Sequence, residues 1–164
     1  MSTDIHFRAP RASDGLRIWE SVRDDGVLEE NSAYCYVLLC SHFAAHGIIA
    51  ERDGELAGFV TAYRPPSDAE AVFVWQVGVA PAGRGQGLGK TLLKRLIRQP
   101  ANRDAAYLTA TVAPDNEASN RLFAGFARDE DANIETREGY AATLFPAGHE
   151  PEPLLRIGPL PARD

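Results

Sequence analysis

Three glycines alternate with other residues from Gly85 to Gly89, directly after an apolar run and before a stretch that predicts a helix. Glycine lets the backbone come close to a ligand, and the N–H groups at the start of a helix bind anions. Residues 84–103 carry no acidic side chain and six basic ones: Arg84, Lys90, Lys94, Arg95, Arg98 and Arg103. The segment 84–90 therefore predicts a phosphate-binding loop.

Two nucleotide-binding motifs each miss this loop by one residue. The P-loop pattern GxxxxGK[ST] needs glycine where the chain has Arg84, although Gly89, Lys90 and Thr91 match its end. The dinucleotide pattern GxGxxG needs glycine where the chain has Lys90. Antiparallel strands predicted before the loop disfavour both motifs, because those folds place the loop after the first strand of a parallel sheet. A P-loop nucleotide-binding protein is the less favoured alternative.

The elements around the loop predict one α/β domain spanning residues 1–164. Ser13 or Asp14 is expected to cap a helix ending at Gly26, and further helices are predicted over 34–43, 88–98 and from residue 115 or 116 to 126. Strands are predicted over 5–8, 48–51, 56–63, 71–79, 106–112 and 140–145, with a hairpin turn at Asp53-Gly54. The tail 146–161 is too rich in proline and glycine for assignment.

Composition excludes several classes of function. The formal net charge of −6 argues against nucleic-acid binding, which needs a basic surface. No apolar run approaches the ~18 residues of a membrane span, and the first residues lack a signal-peptide pattern, so we expect no membrane partner and a cytoplasmic protein. Cys35 and Cys40 match no metal-binding spacing, so we expect reduced, buried thiols and no metal.

The spacing Arg-x-x-Gly-x-Gly at Arg84, Gly87 and Gly89 resembles the acyl-CoA motif of the GNAT superfamily of N-acetyltransferases. The order of predicted elements agrees with that fold. The resemblance implies a mixed, mostly antiparallel central sheet, splayed between its central strands and flanked by helices. It also implies acetyl-CoA as co-substrate, and no metal.

The resemblance also implies which residues bind acetyl-CoA. Backbone groups of Val77 and Val79 would contact the pantetheine arm, and the loop would hold the pyrophosphate through Arg84, Gly85, Gln86, Gly87, Leu88, Gly89 and Lys90. A later helix carries an asparagine-led pattern with Asn116, Asn120 and Phe123. Many relatives have tyrosine at the last position, where its hydroxyl can protonate the departing thiolate. Phe123 offers no such proton and is expected to pack beside the thioester.

The other half of the chain resembles a narrower group, the diaminobutyrate acetyltransferases of ectoine biosynthesis. The resemblance lies in four segments taken in order and spacing: 28–36, 39–43, 73–77 and 149–152. It implies transfer of an acetyl group to the γ-amine of L-2,4-diaminobutyrate, giving the N4-acetyl product, by a homodimer acting in osmoprotection. It places seven residues in the acceptor pocket: Glu29, Asn31, Tyr34, Trp75, Gln76, His149 and Glu152.

The chemistry of a diamino acid suits those residue types. Carboxylates can hold ammonium groups, and aromatic rings can shape the wall of the pocket. An ammonium with a pKa of about 10 must lose a proton before it attacks, and Glu152, His149 and Glu29 are all candidates for the base. The family usually has aspartate at the position of Glu29, which we expect to hold the α-ammonium. By resemblance, the N–H of Val77 donates to the oxyanion.

Three alternatives to this function remain at this stage. Within the enzyme class, the runner-up is an acetyltransferase for another small amine, namely a polyamine, lysine, ornithine or an aminoglycoside. A catalytically silent acyl-CoA sensor is compatible with Phe123. The P-loop protein is the third.

Overall fold

The structure, a computed structural model, describes residues 4–164 and contains one seven-stranded sheet with four α-helices. The strands are β1 (His6–Arg8), β2 (Ile48–Arg52), β3 (Glu55–Tyr63), β4 (Ala71–Val79), β5 (Tyr107–Thr111), β6 (Asn133–Tyr140) and β7 (Glu152–Gly158). The helices are α1 (Asp14–Asp25), α2 (Ala33–Ser41), α3 (Leu88–Leu96) and α4 (Glu117–Asp129). Short 3-10 helices lie at Ala44–His46, Pro81–Gly83 and Ala142–Leu144.

The strand order β1-β2-β3-β4-β5-β7-β6 makes a mostly antiparallel sheet. Only β4 and β5 run parallel, and they pair over just three residues of each strand, 71–73 with 107–109. Beyond Phe73 and Thr109 the two strands diverge. The predicted fold class is confirmed, including the splay between the central strands.

The closed end of this gap is fixed by the side chain of Arg156 on β7. Its Nη1 lies 2.5 Å from an oxygen of Asp68, in the loop before β4, and its guanidinium lies 3.8 Å from the ring centroid of Tyr107 on β5. Arg156 is buried, whereas the Asp68 side chain is partly exposed. One cation therefore joins three elements at the point where β4 and β5 separate.

Local sequence explains most of the element boundaries. Asp53 and Gly54 both adopt positive φ, as the predicted hairpin turn requires. The Ser32 side chain caps α2 by accepting from the N–H of Cys35, and Asn116 caps α4 in the same way. Ser13 makes no capping bond at α1, so that expectation is wrong for its side chain.

The carboxylate of Asp14 is instead part of a buried ion-pair network. It accepts from the N–H of Arg11 and pairs with Arg8 at 2.7 Å. Arg8 also contacts Glu51 on β2 at 2.7 Å, and Arg17 on α1 bonds to the same carboxylate. The network ties β1, β2 and α1 together, and the hydrogen bonds from Arg8 lower the pKa of Glu51 to about 2.

In the last third of the chain, one predicted strand is wrong and the tail holds a strand that the sequence does not predict. The strand expected over 140–145 is a 3-10 helix at Ala142–Leu144, and the unassigned tail contains β7. The strand β6 was missed because nearly all of its residues are exposed, so its sequence lacks apolar alternation. Pairing with β5 on one side and β6 on the other places β7 inside the sheet despite its flanking prolines.

The helices cover the two faces of the sheet. On one face α3 and α4 pack over a core that includes Val60, Leu92, Leu108 and Phe126. On the other face α1 and α2 enclose a smaller cluster centred on Tyr36 and containing Cys40. Cys40 is buried and Cys35 is half-buried, and both thiols are free. Among residues 4–164, no helix is long and apolar enough to cross a bilayer, and no cluster of metal-ligating side chains is found.

Candidate active site

A cavity of about 510 Å³ opens where β4 and β5 separate. Its walls come from both strands, from the segment before α2, from the first turns of α4 and from the region between β6 and β7. Nine of the residues predicted to bind a ligand line it: Glu29, Asn31, Trp75, Gln76, Val77, Asn116, Phe123, His149 and Glu152. Most of the predicted acceptor pocket therefore comes together in one place.

The backbone of β4 presents hydrogen-bonding groups to this gap. The N–H of Gln76 donates to Thr61 Oγ1 on β3, and the N–H of Ala80 donates to the carbonyl of Ala57. Because N–H groups alternate in direction along a strand, those of Val77 and Val79 face away from β3, toward the gap. This geometry supplies the polar edge predicted at these two positions.

The glycine-rich loop lies at the open end of β4, where it leads into α3. Gly85 and Gly87 have φ values of 79° and 64°, which disfavour residues with a Cβ, and Gly87 is the N-cap residue of α3. A Cβ on either glycine would meet no atom within 4 Å, so that face of the loop is open. Gly89 instead lies against α4, where an added Cβ would be 3.3 Å from Leu122.

The long side chains of the loop already have partners in the protein. Arg84 forms an ion pair with Asp25 at the end of α1. Gln86 accepts from Arg52 at 2.6 Å. Lys90 lies 3.0 Å from Asp129 on α4 and thus braces α3 against that helix. In this conformation the open part of the loop is its backbone at the start of α3, which attracts anions through its N–H groups and helix dipole.

Gln76 connects three parts of the acceptor side. Its Oε1 accepts from the hydroxyl of Tyr36 at 3.0 Å, and its Nε2 donates to the carbonyl of Glu29 at 2.9 Å. Asn31 Nδ2 donates to the same carbonyl at 3.3 Å. The residues before α2 are therefore held against β4, and the exposed Glu29 side chain lies at the cavity wall.

A β-bulge in β4 sets the position of Trp75. In the register with β3, Thr61 pairs with Gln76 and Ala62 pairs with Val74, so Trp75 has no partner residue across the strand. A bulge redirects the side chain of the extra residue. The indole packs against Tyr36 with ring centroids 5.8 Å apart and forms part of the cavity wall.

His149 and Glu152 lie at the far wall of the cavity. The His149 ring stacks on Phe145 at 4.1 Å, and its Nδ1 lies 2.5 Å from the carbonyl of Glu150. Because a carbonyl only accepts, Nδ1 carries a proton in this contact, and Nε2 is the ring nitrogen left for a ligand. Burial raises the pKa of Glu152 above 4.5, and the nearby Glu29 and Asp115 carboxylates raise it further while His149 lowers it.

Besides Val79 and the loop 84–90, two predicted site residues do not line this cavity. Tyr34 is 69% exposed on α2 and does not line it. Asn120 lines a separate groove, and its amide donates to the carbonyls of Ala113 and Asn116, where it stabilises the start of α4. Phe123 both lines the cavity and belongs to the main core.

Residues 15–126 match the sequence model of the acetyltransferase (GNAT) family. The chain belongs to the GNAT acetyltransferase family. The match starts in α1 and ends in α4, so it contains the splayed strands and the glycine-rich loop. The P-loop alternative is therefore wrong.

Similar proteins within the GNAT family indicate a narrower group of enzymes. The L-2,4-diaminobutyric acid acetyltransferase of Streptomyces coelicolor is 41% identical over 162 residues, which cover 97% of this chain and 95% of the relative. The enzyme of the same name from Marinococcus halophilus is 41% identical over 156 residues, covering 94% and 90%. The chain thus groups with the L-2,4-diaminobutyric acid acetyltransferases, as the sequence resemblance indicated.

Solved structures agree with this grouping. Diaminobutyrate acetyltransferase EctA from Paenibacillus lautus, solved with L-2,4-diaminobutyric acid and coenzyme A, superposes with a TM-score of 0.89 at 44% identity and covers 96% of each chain. The ribosomal-protein-S18-alanine N-acetyltransferase of Escherichia coli, at 18% identity and a TM-score of 0.64, shares the fold. The GNAT fold is therefore common to enzymes with different acceptors.

GNAT acetyltransferases use acetyl-CoA, and the groups at the gap fit it. The β4 edge at Val77 and Val79 suits the amide-containing pantetheine arm, which needs donors and acceptors along an extended path. The open backbone at Gly85 and Gly87, at the N-terminus of α3, suits a pyrophosphate. Strand β4 thus runs from the cavity at Val77 to the loop that follows Val79.

Several aromatic residues that line this cavity were not predicted from the sequence. Tyr63 pairs with Phe73 in the β3–β4 register, and their rings lie 5.4 Å apart at the closed end of the gap. Tyr140, the last residue of β6, and Phe145, after that strand, also line the cavity. The sequence carried no local signal for these residues, because the Asp53-Gly54 turn sets the register of β2 with β3 and not that of β3 with β4.

Proposed function

We propose that this protein transfers the acetyl group of acetyl-CoA to the γ-amine of L-2,4-diaminobutyrate and releases the N4-acetyl product for ectoine biosynthesis. The observation that carries the proposal is the cavity at the β4–β5 gap, which is lined by Glu29, Glu152 and Val77 together. Carboxylates suit an acceptor with two ammonium groups. The grouping with diaminobutyrate acetyltransferases supports the same acceptor.

Acetyl-CoA, when bound, supplies a thioester carbonyl whose oxygen becomes negative as a nitrogen attacks. The N–H of Val77 points into the gap and is the proposed donor to that oxygen, while Val79 holds the arm beside it. A single fixed N–H of this kind typically contributes a factor of ~10²–10³ to the rate. Phe123 closes the wall of the site and excludes water.

Glu152 is the proposed base that takes the proton from the acceptor ammonium. Burial raises its pKa above the ordinary value for glutamate, which makes it a stronger base than an exposed carboxylate. His149, fixed by Phe145 and by the carbonyl of Glu150, presents Nε2 as the nearby acceptor that orients the amine. Proton removal frees the nitrogen lone pair for attack.

Glu29 is the proposed partner of the α-ammonium. A charged ammonium held by a carboxylate keeps its proton and cannot attack, so position rather than basicity selects the γ-amine. Gln76 and Asn31 support this role because both donate to the Glu29 carbonyl and limit its movement. Trp75 shapes the wall on the same side.

The deciding experiment supplies the purified protein and acetyl-CoA with diaminobutyrate, ornithine, lysine or spermidine. We expect release of free CoA thiol to be fastest with diaminobutyrate, and the acetyl group to lie on the γ-nitrogen by NMR. Faster turnover of lysine, ornithine or spermidine, or acetylation of the α-nitrogen, would contradict the proposal. Absence of turnover with all four acceptors would instead support the acyl-CoA sensor.

We further propose that the protein acts in the cytoplasm as a homodimer in osmoprotection. The two free cysteines are compatible with a reducing compartment. The exposed edge strand β6 offers backbone groups to a second copy. Sedimentation at several concentrations tests the dimer, and a monomer at 100 μM would contradict it.

A further inference from the structure

Acidic side chains predominate among the titratable residues of the active-site cavity. Glu29 and Glu152 contribute carboxylates and His149 an imidazole, while none of the described lining residues is lysine or arginine. Asp115 adds a third carboxylate close enough to raise the pKa of Glu152. The field inside the cavity therefore favours cations.

The neutral donors around the cavity are largely engaged by the protein itself. The amides of Gln76 and Asn31 both donate to the carbonyl of Glu29. The backbone N–H of Ser119 donates to Asn116 Oδ1, which caps α4. An incoming carboxylate would meet hydroxyls and remaining amide hydrogens rather than a guanidinium or ammonium, and each neutral hydrogen bond contributes only about a fivefold factor in affinity.

The acceptor of the proposed reaction carries two amines separated by three carbon atoms. Its decarboxylated counterpart, 1,3-diaminopropane, keeps both nitrogens at the same spacing and lacks only the carboxylate. A nitrogen that reaches the thioester while the other contacts Glu29 does so equally well in both molecules. The charged groups of the cavity thus suit the two amines, which both molecules have.

We infer that the protein also acetylates short diamines that carry no carboxylate, with 1,3-diaminopropane the best of them. The inference rests on the proposed function, because it uses the same cavity and the same base. A C–N bond forms between one diamine nitrogen and the acetyl carbon, and the C–S bond breaks. The reacting ammonium loses two protons, one to Glu152 before attack and one to solvent as the amide forms; Glu152 passes its proton to solvent, and the thiolate takes one from solvent, giving N-acetyl-1,3-diaminopropane, CoA and one released proton.

The test measures kcat/KM for diaminobutyrate, 1,3-diaminopropane and 4-aminobutyrate at saturating acetyl-CoA. The third compound keeps the γ-amine and the carboxylate but lacks the α-amine. We expect kcat/KM for 1,3-diaminopropane to lie within about thirtyfold of that for diaminobutyrate. We expect kcat/KM for 4-aminobutyrate to be at least about a hundredfold below that for diaminobutyrate, because the Glu29 carboxylate then has no ammonium to bind. A larger loss with 1,3-diaminopropane, or equal use of 4-aminobutyrate, overturns the inference.

A pair of variants tests the role of the shared ammonium. Glu29→Gln should lower kcat/KM for both diamines by a similar factor, about tenfold or more, because both present the second ammonium to this side chain. The matched control, Glu30→Gln, changes an exposed neighbour that does not line the cavity and should leave both values unchanged. Loss with diaminobutyrate alone would overturn the inference.

The two proposals fail in different ways. If diaminobutyrate is acetylated and 1,3-diaminopropane is not, the proposed function stands and only the inference fails. If 1,3-diaminopropane is acetylated and diaminobutyrate is not, the proposed acceptor is wrong while the cation-selective cavity is supported. Neither acceptor being used overturns both.

Discussion

The buried hydrogen bond between Tyr36 and Gln76 should link the stability of the fold to acceptor binding. Tyr36 is fully buried, and its hydroxyl lies 3.0 Å from Gln76 Oε1. Tyr36→Phe keeps the aromatic ring against Trp75 and removes only this donor. A buried acceptor left unsatisfied costs about 1–3 kcal/mol, so the free energy of unfolding should fall by that amount.

The same change should weaken acceptor binding selectively. Gln76 also holds the carbonyl of Glu29, and a freed amide loses part of that positioning. A loss of about 1 kcal/mol in preorganisation corresponds to a fivefold rise in KM for diaminobutyrate. The KM for acetyl-CoA should change less, because the partners of Arg84, Gln86 and Lys90 in the glycine-rich loop are Asp25, Arg52 and Asp129.

Urea unfolding and steady-state kinetics on the same preparations check both effects. Tyr34→Phe is the matched control for stability, because Tyr34 is 69% exposed, and its unfolding free energy should change by less than about 0.5 kcal/mol. Unchanged unfolding of Tyr36→Phe would refute the buried bond. Reduced stability with an unchanged KM for diaminobutyrate would refute the positioning of Glu29.

Three further predictions concern the base, an ion pair and the loop. Glu152→Gln should lower kcat by about 10²–10⁴ and remove the acidic limb of the pH–rate profile. In the unmodified protein that limb lies above pH 4.5, because the pKa of Glu152 is raised. An unchanged pH–rate profile would exclude Glu152 as the base. Glu51 has a folded pKa of about 2 against an ordinary 4.5, so its stabilising effect is complete above pH 4.5 and is lost as the pH falls through 2. Acid unfolding of Glu51→Gln should therefore show a shallower pH dependence between these values, and an equal slope would contradict the ion-pair assignment. Gly87→Ala should destabilise the protein by about 1 kcal/mol because its φ is 64°, and should raise the KM for acetyl-CoA more than that for diaminobutyrate; an unchanged KM for acetyl-CoA would show that the loop backbone does not bind it.

The first two thirds of the fold followed from sequence patterns, and the last third did not. The Asp53-Gly54 turn, the apolar run of β4 and the start of α4 at residue 115 or 116 are local signals, and these three predictions are confirmed. The strands β6 and β7 have no comparable signal. One is exposed along nearly its whole length, and the other depends on pairing with residues more than forty positions earlier.

The sequence by itself determined the family and the class of acyl donor, because the loop from Arg84 to Gly89 works through local backbone conformation. Glycine identity and spacing decide which φ values are available, and both can be read without a structure. The same sequence predicted that Arg84 and Lys90 bind the cofactor. In the structure their charged groups pair with Asp25 and Asp129, which only the packing of α1 and α4 brings near.

The tertiary structure alone decided how the acceptor side is built. The bulge at Trp75, the Tyr36–Gln76–Glu29 chain and the position of Glu152 all depend on contacts between residues far apart in the sequence. So does the charge of the cavity, since an acidic wall without lysine or arginine results from which distant segments meet at the gap. Residue spacing along the chain does not predict these long-range contacts, because they are set by packing rather than by local conformation.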